Sequence, residues 1–484
     1  MTTEVVEPSM PGAVPAPGAA AQVAPVAQRL VLVLPSTGEF DSRTYRIATT
    51  ALARGHEVTV VARWRAGLPR DESNPAGYHV IRVPASSVDG LPFAALRRWF
   101  GRLLRTVRGS SRDAASRPAV ATAAVAGTSA TEVDPESASS APPSTPPGGR
   151  ASPLRRIFAS LVRRLAIPLT IRSHGRNAEA VAPPADLYHG MAYMGIPVAL
   201  RLGRRHRAPV VYDARDIYLE ARNLARMRGP ARWLLAAAER RWAHRSARVI
   251  TVNDAYADVM TERLRGARPL VVMNCSDRFD PPDPPVRRIH ERLGLAPERP
   301  VVLYHGGLFP QRGIEELIEA IALVPGAELV LMGYGALEAE LPGRIAASSA
   351  GARIHVLPAV PPADLHDWVA AADVAAMPIQ PSTLNHRLTT PNKLFEAMTA
   401  GVPIVASDLP GMASIVSATG CGVLCDPADP ASIAAAIRQI LDAAPEDRRA
   451  YGARGRAAVV TTYNWAAQAD RLFAEYGRIT GRPW

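Results

Sequence analysis

The first regular apolar pattern in the chain is RLVLVLP at 29–35, an unbroken run of the kind a strand buried on both faces requires. A polar loop, STGEFDSRTYR at 36–46, leads into a helical stretch through Leu52, and HEVTVVAR at 56–63 supplies a second strand. Strand, helix and strand in such quick succession form a βαβ unit, which implies a parallel sheet. The same alternation resumes at Asp186, with short apolar runs in APVVYDARDIYLE (208–220), ARVITVN (247–253) and PLVVMN (269–274). A Pro-rich joint, DRFDPPDPPVRR at 277–288, then interrupts it. Beyond the joint the pattern restarts with RPVVLYHGG at 299–307 and recurs at 327–333, 353–358, 373–378 and 403–408, with helical stretches between.

The predicted fold class is therefore α/β: two Rossmann-like doubly wound domains facing a cleft. Ligands of open α/β sheets bind at the carboxyl ends of the strands. The expected divisions are a disordered tail at 1–27, a first domain from 28–90 and 177–278, an insert at 91–176, a linker at 279–298, a second domain at 299–462, and a terminal helix at 463–484, whose return to the first domain is implied by a resemblance of NWAAQADRLFAEYGRI (464–479) to the terminal segment of known proteins of this architecture.

The insert changes the reading of the charge. The chain of 484 residues has a formal net charge of +12, yet 91–176 alone holds 14 Arg against 4 acidic residues, leaving the remainder close to neutral. The Arg residues lie between apolar positions at helical spacing, Phe93, Leu96, Phe100, Leu103, Leu104 and Val107 on one side and Leu154, Ile157, Phe158, Leu161, Val162 and Leu165 on the other. The stretch between them, about 109–153, is Ala/Ser/Pro/Thr-rich and expected to be disordered. Basic amphipathic helices suit an anionic membrane surface, or simply pack on the first domain with Arg outward. No aromatic platform accompanies the Arg, so nucleic acid is not an expected partner.

The N-terminal tail is rich in Pro and Ala and carries Glu4 and Glu7 where a signal peptide would be basic. No run of 18 apolar residues occurs. The expected location is cytoplasmic, peripheral on the inner membrane face if the insert binds lipid. The three cysteines, Cys275, Cys421 and Cys425, are too few and too scattered for a disulfide framework or a zinc site and are expected to be reduced.

Of the 56 basic residues, Lys393 is the only Lys. In a chain that uses Arg everywhere else, one retained ammonium marks a place where a planar guanidinium does not serve. It lies in LTTPNKLFEAMTAG (388–401), where Pro391 is suited to start a helix and Asn392 and Lys393 fall in its first turn. A helix N-terminus with a Lys is a diphosphate site, and Glu396 a turn further on is placed to accept bonds from two ribose hydroxyls. YHGGLFPQRG (304–313) is a second, weaker candidate. Gly306 and Gly307 would let a phosphate approach the backbone, with Arg312 in reach, or they form only a tight strand-to-helix turn. His305 reads equally as a phosphate neighbour or a strand terminus, and Asp213 and Asp216 as helix caps or cleft residues.

These motifs resemble glycosyltransferase family 4, retaining enzymes of the two-Rossmann (GT-B) architecture, and within it a bacterial branch with a PNKLFE motif. The resemblance runs through PNKLFEAMTAGVPIVASD (391–408), GCGVLCDP (420–427), LMGYG (331–335), VVYDARDIYLE (210–220) and DLYHG (186–190), and covers about 28–85 and 183–480. It implies a sugar transferred from a nucleotide-diphosphate donor to a hydroxyl of a glycan or lipid-linked acceptor, with no cofactor and no required metal. By the same resemblance Lys393 and Arg312 hold the diphosphate, Gly306 and Gly307 let it approach, Glu396 binds ribose, and Asn392 and Leu394 complete the donor turn. His189 faces the donor sugar from the first domain, and Asp41 and Arg43 lie on the acceptor side. The sequence departs from the family at the first acid of its E-x7-E signature, which falls at Leu388, at the Arg of its G-R-L turn, which falls at Gly307, and at Arg215 and Asp216. A nucleotide-sugar 2-epimerase and a non-catalytic membrane-bound scaffold are the alternative readings.

Overall fold

The computed structural model describes residues 26–39, 41–86, 153–225, 227–282 and 287–484, with the backbone alone for 153–166, 222, 223 and 362. The expectations for the N-terminal tail up to residue 25 and for the first flank and centre of the insert lie outside the described residues.

The first domain is an eight-stranded sheet in the order β3-β4-β2-β1-β5-β6-β7-β8. Its strands are β1 (Arg29–Val33), β2 (Glu57–Arg63), β3 (Asp71–Ser73), β4 (His79–Val83), β5 (Leu187–Met191), β6 (Val210–Asp213), β7 (Arg248–Thr251) and β8 (Leu270–Val271). All pairings are parallel except that of β3 with β4. The second domain has six parallel strands in the order β11-β10-β9-β12-β13-β14. They are β9 (Val301–Gly307), β10 (Glu328–Tyr334), β11 (Ile354–Leu357), β12 (Val374–Met377), β13 (Ile404–Ser407) and β14 (Gly422–Cys425). In each sheet the strand order reverses beside the domain's first strand, between β1 and β5 and between β9 and β12. That reversal opens a crevice at the carboxyl ends of the strands.

Helix α1 (Ser42–Ala53) follows β1 and starts where the Asp41 side chain accepts from the Thr44 N–H, 2.9 Å away. Helix α2 (Pro153–Val181) is one continuous element, so the second flank of the insert runs across the expected boundary at 176 into the first domain, with Pro168 inside it. Helix α3 (Ala192–His206) covers β5 and β6, and α4 (Asp254–Leu264) is capped by the Asn253 side chain. In the second domain, α5 (Ile314–Ala322) follows β9, while α6 (Leu384–Leu388) and α7 (Asn392–Ala400) follow β12.

The terminal helix α8 (Trp465–Thr480) returns to the first domain as expected. Trp465, Gln468, Ala469, Leu472, Phe473 and Tyr476 recur at helical spacing and are buried. The apolar members join Leu30, Leu32, Val58 and Val60 in one core. All three cysteines are free and buried.

Candidate functional site

The donor-side candidates converge on the reversal point of the second sheet. β9 ends in Gly306 and Gly307, and the chain turns through Arg312 into α5. Gly313 has φ +78, and a Cβ there would lie 1.9 Å from the Pro378 carbonyl oxygen, so only glycine lets the loop after β9 pass against the exit of β12. From that exit the chain reaches α7, whose N-terminus has Pro391 in the capping position and no capping side chain. Its first N–H groups are therefore available to an anion.

Lys393 is buried in the first turn of α7, and its Nζ lies 3.6 Å from the centre of the Tyr304 ring. The Tyr304 hydroxyl donates to the Gly307 carbonyl at 2.8 Å, which ties the ring under the lysine to the glycine turn. Burial and then the charge of Arg312 push the Lys393 ammonium well below the ordinary lysine range, against the pull of Glu396. Two cations held together in a desolvated place are costly by themselves, and a polyanion beside them offsets that cost.

Glu396 is buried one turn along the same helix and accepts from His305 Nε2 at 2.8 Å. Burial alone would raise its pKa. The His305 bond and the charges of His305, His366 and Arg46 outweigh burial and hold the carboxylate below its usual range. His305 is thus neither a loose strand terminus nor a free phosphate neighbour: it is buried within β9 and holds Glu396. Leu394 differs from its expectation. Its side chain is fully buried in the core of the second domain, because its place on α7 faces the sheet.

The first-domain candidates are placed differently. His189 lies inside β5 and is fully buried, away from any open surface. Its Nε2 is 3.2 Å from Asp213 Oδ2, and its Nδ1 is 2.5 Å from the Tyr476 hydroxyl of α8. Burial lowers its pKa despite Asp213, so the ring is neutral, donating to Asp213 and accepting from Tyr476. Arg43, expected on the acceptor side, is 1% exposed; its Nε donates to Asp213 at 2.6 Å and its Nη1 to the Val272 carbonyl at 2.7 Å. Asp213 is buried beside both and is no helix cap. Burial raises its pKa, but Arg43, His189 and Arg215 outweigh it and hold the carboxylate far below the usual range. Asp41 is largely taken up by its cap and by Arg215, whose Nη1 lies 2.9 Å from Asp41 Oδ1.

A polar seam joins the domains, and sequence reasoning missed it. Arg46 of α1 donates to Asn274 Oδ1 at 2.9 Å. Asn274 Nδ2 lies 3.2 Å from the Ser42 hydroxyl and 3.1 Å from Asn392 Oδ1 at the start of α7. Only PLVVMN ending at Asn274 hinted at this residue, and no spacing linked it to Asn392.

Known proteins fit this architecture. The family model described as glycosyl transferase 4-like domain matches residues 41–276, and that of the glycosyl transferases group 1 matches 285–458. A D-inositol 3-phosphate glycosyltransferase of Segniliparus rotundus is 33% identical over 192 residues, covering 38% of this chain and 41% of that protein. A GDP-mannose-dependent alpha-(1-6)-phosphatidylinositol monomannoside mannosyltransferase of Mycolicibacterium smegmatis is 32% identical over 205 residues, 41% of this chain and 52% of that one. The chain thus spans about half the length of these relatives. Sucrose-phosphate synthase from Thermosynechococcus elongatus shares the fold with a TM-score of 0.64 at 18% identity, over 94% of this chain and 99% of that one. HepE of Anabaena in complex with UDP-glucose does so with a TM-score of 0.57 at 16% identity, over 93% and 100%. With one family model on each domain and the same two-sheet architecture across nearly the whole chain, this protein belongs to glycosyltransferase family 4, of the GT-B type.

Proposed function

We propose that the protein transfers a sugar from a nucleotide-diphosphate donor to a hydroxyl of a glycan or lipid-linked acceptor, with retention at the anomeric carbon. The observation that carries the donor site is the buried Lys393 at the uncapped start of α7, beside Arg312 and one turn before an ionised Glu396. Charge grows on the leaving diphosphate as the sugar–phosphate bond breaks. Lys393, Arg312 and the N–H groups at the head of α7 are fixed where that charge develops, the preorganised electrostatics that usually dominates catalysis. Glu396, held by His305, takes the ribose hydroxyls. The diphosphate itself assists removal of the acceptor proton. Among the described residues no three His, Cys, Asp or Glu gather to hold a metal ion.

His189 and Arg43 enter this reading as positioning residues. They fix β5, β6, α1 and α8 against one another, and through α1 they set Asp41 at the mouth of the first domain. The acceptor chemistry draws on the names of the relatives, which act on inositol phosphate and phosphatidylinositol mannoside. No helix among the described residues is long and apolar enough to cross a membrane. Contact of 91–176 with an anionic bilayer is the route to a lipid-linked acceptor, and co-sedimentation with anionic liposomes tests it.

Calorimetric titration with UDP, GDP and ADP tests the donor site and names the base. One nucleotide should bind tightly, and Lys393→Ala should abolish that binding and cut turnover by at least about 100-fold. Normal binding and turnover by a folded Lys393→Ala protein would overturn the assignment.

A further inference from the structure

The segment between β12 and α7 belongs to the second domain by sequence, yet the side chains of Leu384, Asn385 and Leu388 are seated in the first. Leu384 and Leu388 of α6 pack into the first-domain core with Ala214, Ile217 and Tyr256. Leu388, the position where the family resemblance places an acid, is 9% exposed there. Asn385 Oδ1 accepts from the Ile217 N–H at 2.9 Å while its Nδ2 donates back to the Ile217 carbonyl at 3.4 Å, so the side-chain amide pairs with that backbone as a neighbouring strand would. The Tyr256 hydroxyl donates to the Asn385 carbonyl at 3.0 Å. Asn253 Nδ2 donates to the Leu388 carbonyl at 2.7 Å and to the Thr390 hydroxyl at 3.3 Å. On its other side the segment rests on its own domain, where a Cβ on Gly411 would come within 2.3 Å of the Leu388 and Thr389 carbonyl oxygens.

We infer that Asn385 and Leu388 form a latch that clamps the two domains shut and sets the head of α7 against Asn274. They are positioning residues for the transfer reaction, and the inference rests on the donor-site reading only for what closure accomplishes. Three observations support a latch over ordinary packing. Most of the hydrogen bonds are made by a side chain of one domain on a backbone group of the other. The contacts recur at residues 384, 385, 388, 390 and 392. And they end in the turn that carries Lys393. A further consequence concerns specificity: the Leu388 side chain points into the first domain, so the donor sugar receives no carboxylate from this position.

The experiment compares the full chain with Leu388→Glu, Leu388→Met and Asn385→Ala by hydrogen–deuterium exchange and small-angle X-ray scattering, with nucleotide binding measured on each. A glutamate at 388 is expelled from the apolar seat. The amides of 214–219 and 384–391 should lose protection by about tenfold or more, and the particle should expand, while β1 and β9 keep their protection. Asn385→Ala should do the same to a smaller degree, and Leu388→Met should behave as wild type. The nucleotide that binds wild type best among UDP, GDP and ADP should bind Leu388→Glu within about threefold, since its contacts lie in the second domain, while turnover falls. A compact Leu388→Glu protein with wild-type protection, or one with raised turnover, would show that this position faces the donor and would overturn the latch. Wild-type exchange in Asn385→Ala would overturn it too, even if Leu388→Glu failed to fold. If wild type binds none of the three nucleotides, the donor reading fails, while the exchange and scattering results still decide the latch.

Discussion

Each domain of this protein buries a cluster of charges, and the two clusters are built on opposite principles. In the first domain Arg43 and His189 converge on Asp213, with Tyr476 closing the far side of the imidazole. There the Arg43 guanidinium meets the Asp213 carboxylate at 2.6 Å and Arg215 meets Asp41 at 2.9 Å, so each charge has a counter-charge within the protein, although Arg43 Nη2 and Asp213 Oδ1 are buried without a hydrogen-bond partner. In the second domain Lys393 rests on an aromatic face and is repelled by Arg312, and the carboxylate that attracts it is already bound to His305. A matched buried cluster holds elements together, whereas an unmatched one is complete only with a ligand. Burial of charge therefore does not mark a binding site; the sign of the imbalance does.

The largest expected effect sharpens the structural side of this contrast. Arg43→Ala strands Asp213 in the core and should cost about 3–5 kcal/mol in chemical denaturation, and replacing both as Arg43→Met with Asp213→Leu should regain most of that loss. An unchanged denaturation midpoint in Arg43→Ala, with a defect confined to acceptor use, would return Arg43 to the acceptor surface and break the comparison.

On the ligand side, a diphosphate beside Lys393 offsets the repulsion from Arg312 and raises the depressed pKa. Binding then takes up a proton, and affinity should fall by up to about tenfold per pH unit as the pH rises through the depressed value. Calorimetry in two buffers of different ionisation enthalpy measures the uptake, and Lys393→Met should remove it. Without ligand the sign differs. The unfolded chain binds this proton more tightly than the folded one, so stability rises with pH until the ordinary lysine value is passed. Affinity that does not change with pH would mean the ammonium is already charged in the free protein.

The smallest effect concerns Glu396. His305→Ala removes one hydrogen bond from its carboxylate and should weaken nucleotide binding by about five- to tenfold, close to 1 kcal/mol, without altering the fold.

Much of this was legible from sequence because it rests on local patterns. Unbroken apolar runs marked most strands of both sheets, and the resemblance of NWAAQADRLFAEYGRI (464–479) to the family's terminal segment marked the returning helix. Pro391 with Lys393 marked the head of α7 through composition as well as position. What escaped depends on contacts between distant parts of the chain. β3 (DES) has no apolar run and exists only through its pairing with β4, and β14 is a short, half-exposed edge strand. His189 and Arg43 read as site residues through the family resemblance, which does not show what either side chain meets in this fold. Their partner Asp213 lies 24 and 170 residues away, and only the fold shows that both side chains bond to it. Leu388 read as a missing acid because the sequence does not show that its side chain belongs to the other domain.

The return of α8 has a consequence for how the protein is made. Thr50 bonds to Trp465, 415 residues later, and His189 bonds to Tyr476. During synthesis the first sheet emerges early, but its core lacks one wall until the last helix leaves the ribosome. At roughly 5–20 residues per second that interval is on the order of tens of seconds. Over that interval β1 and β2 present apolar surface that their final partner has yet to cover, which makes the nascent first domain a natural client for a chaperone.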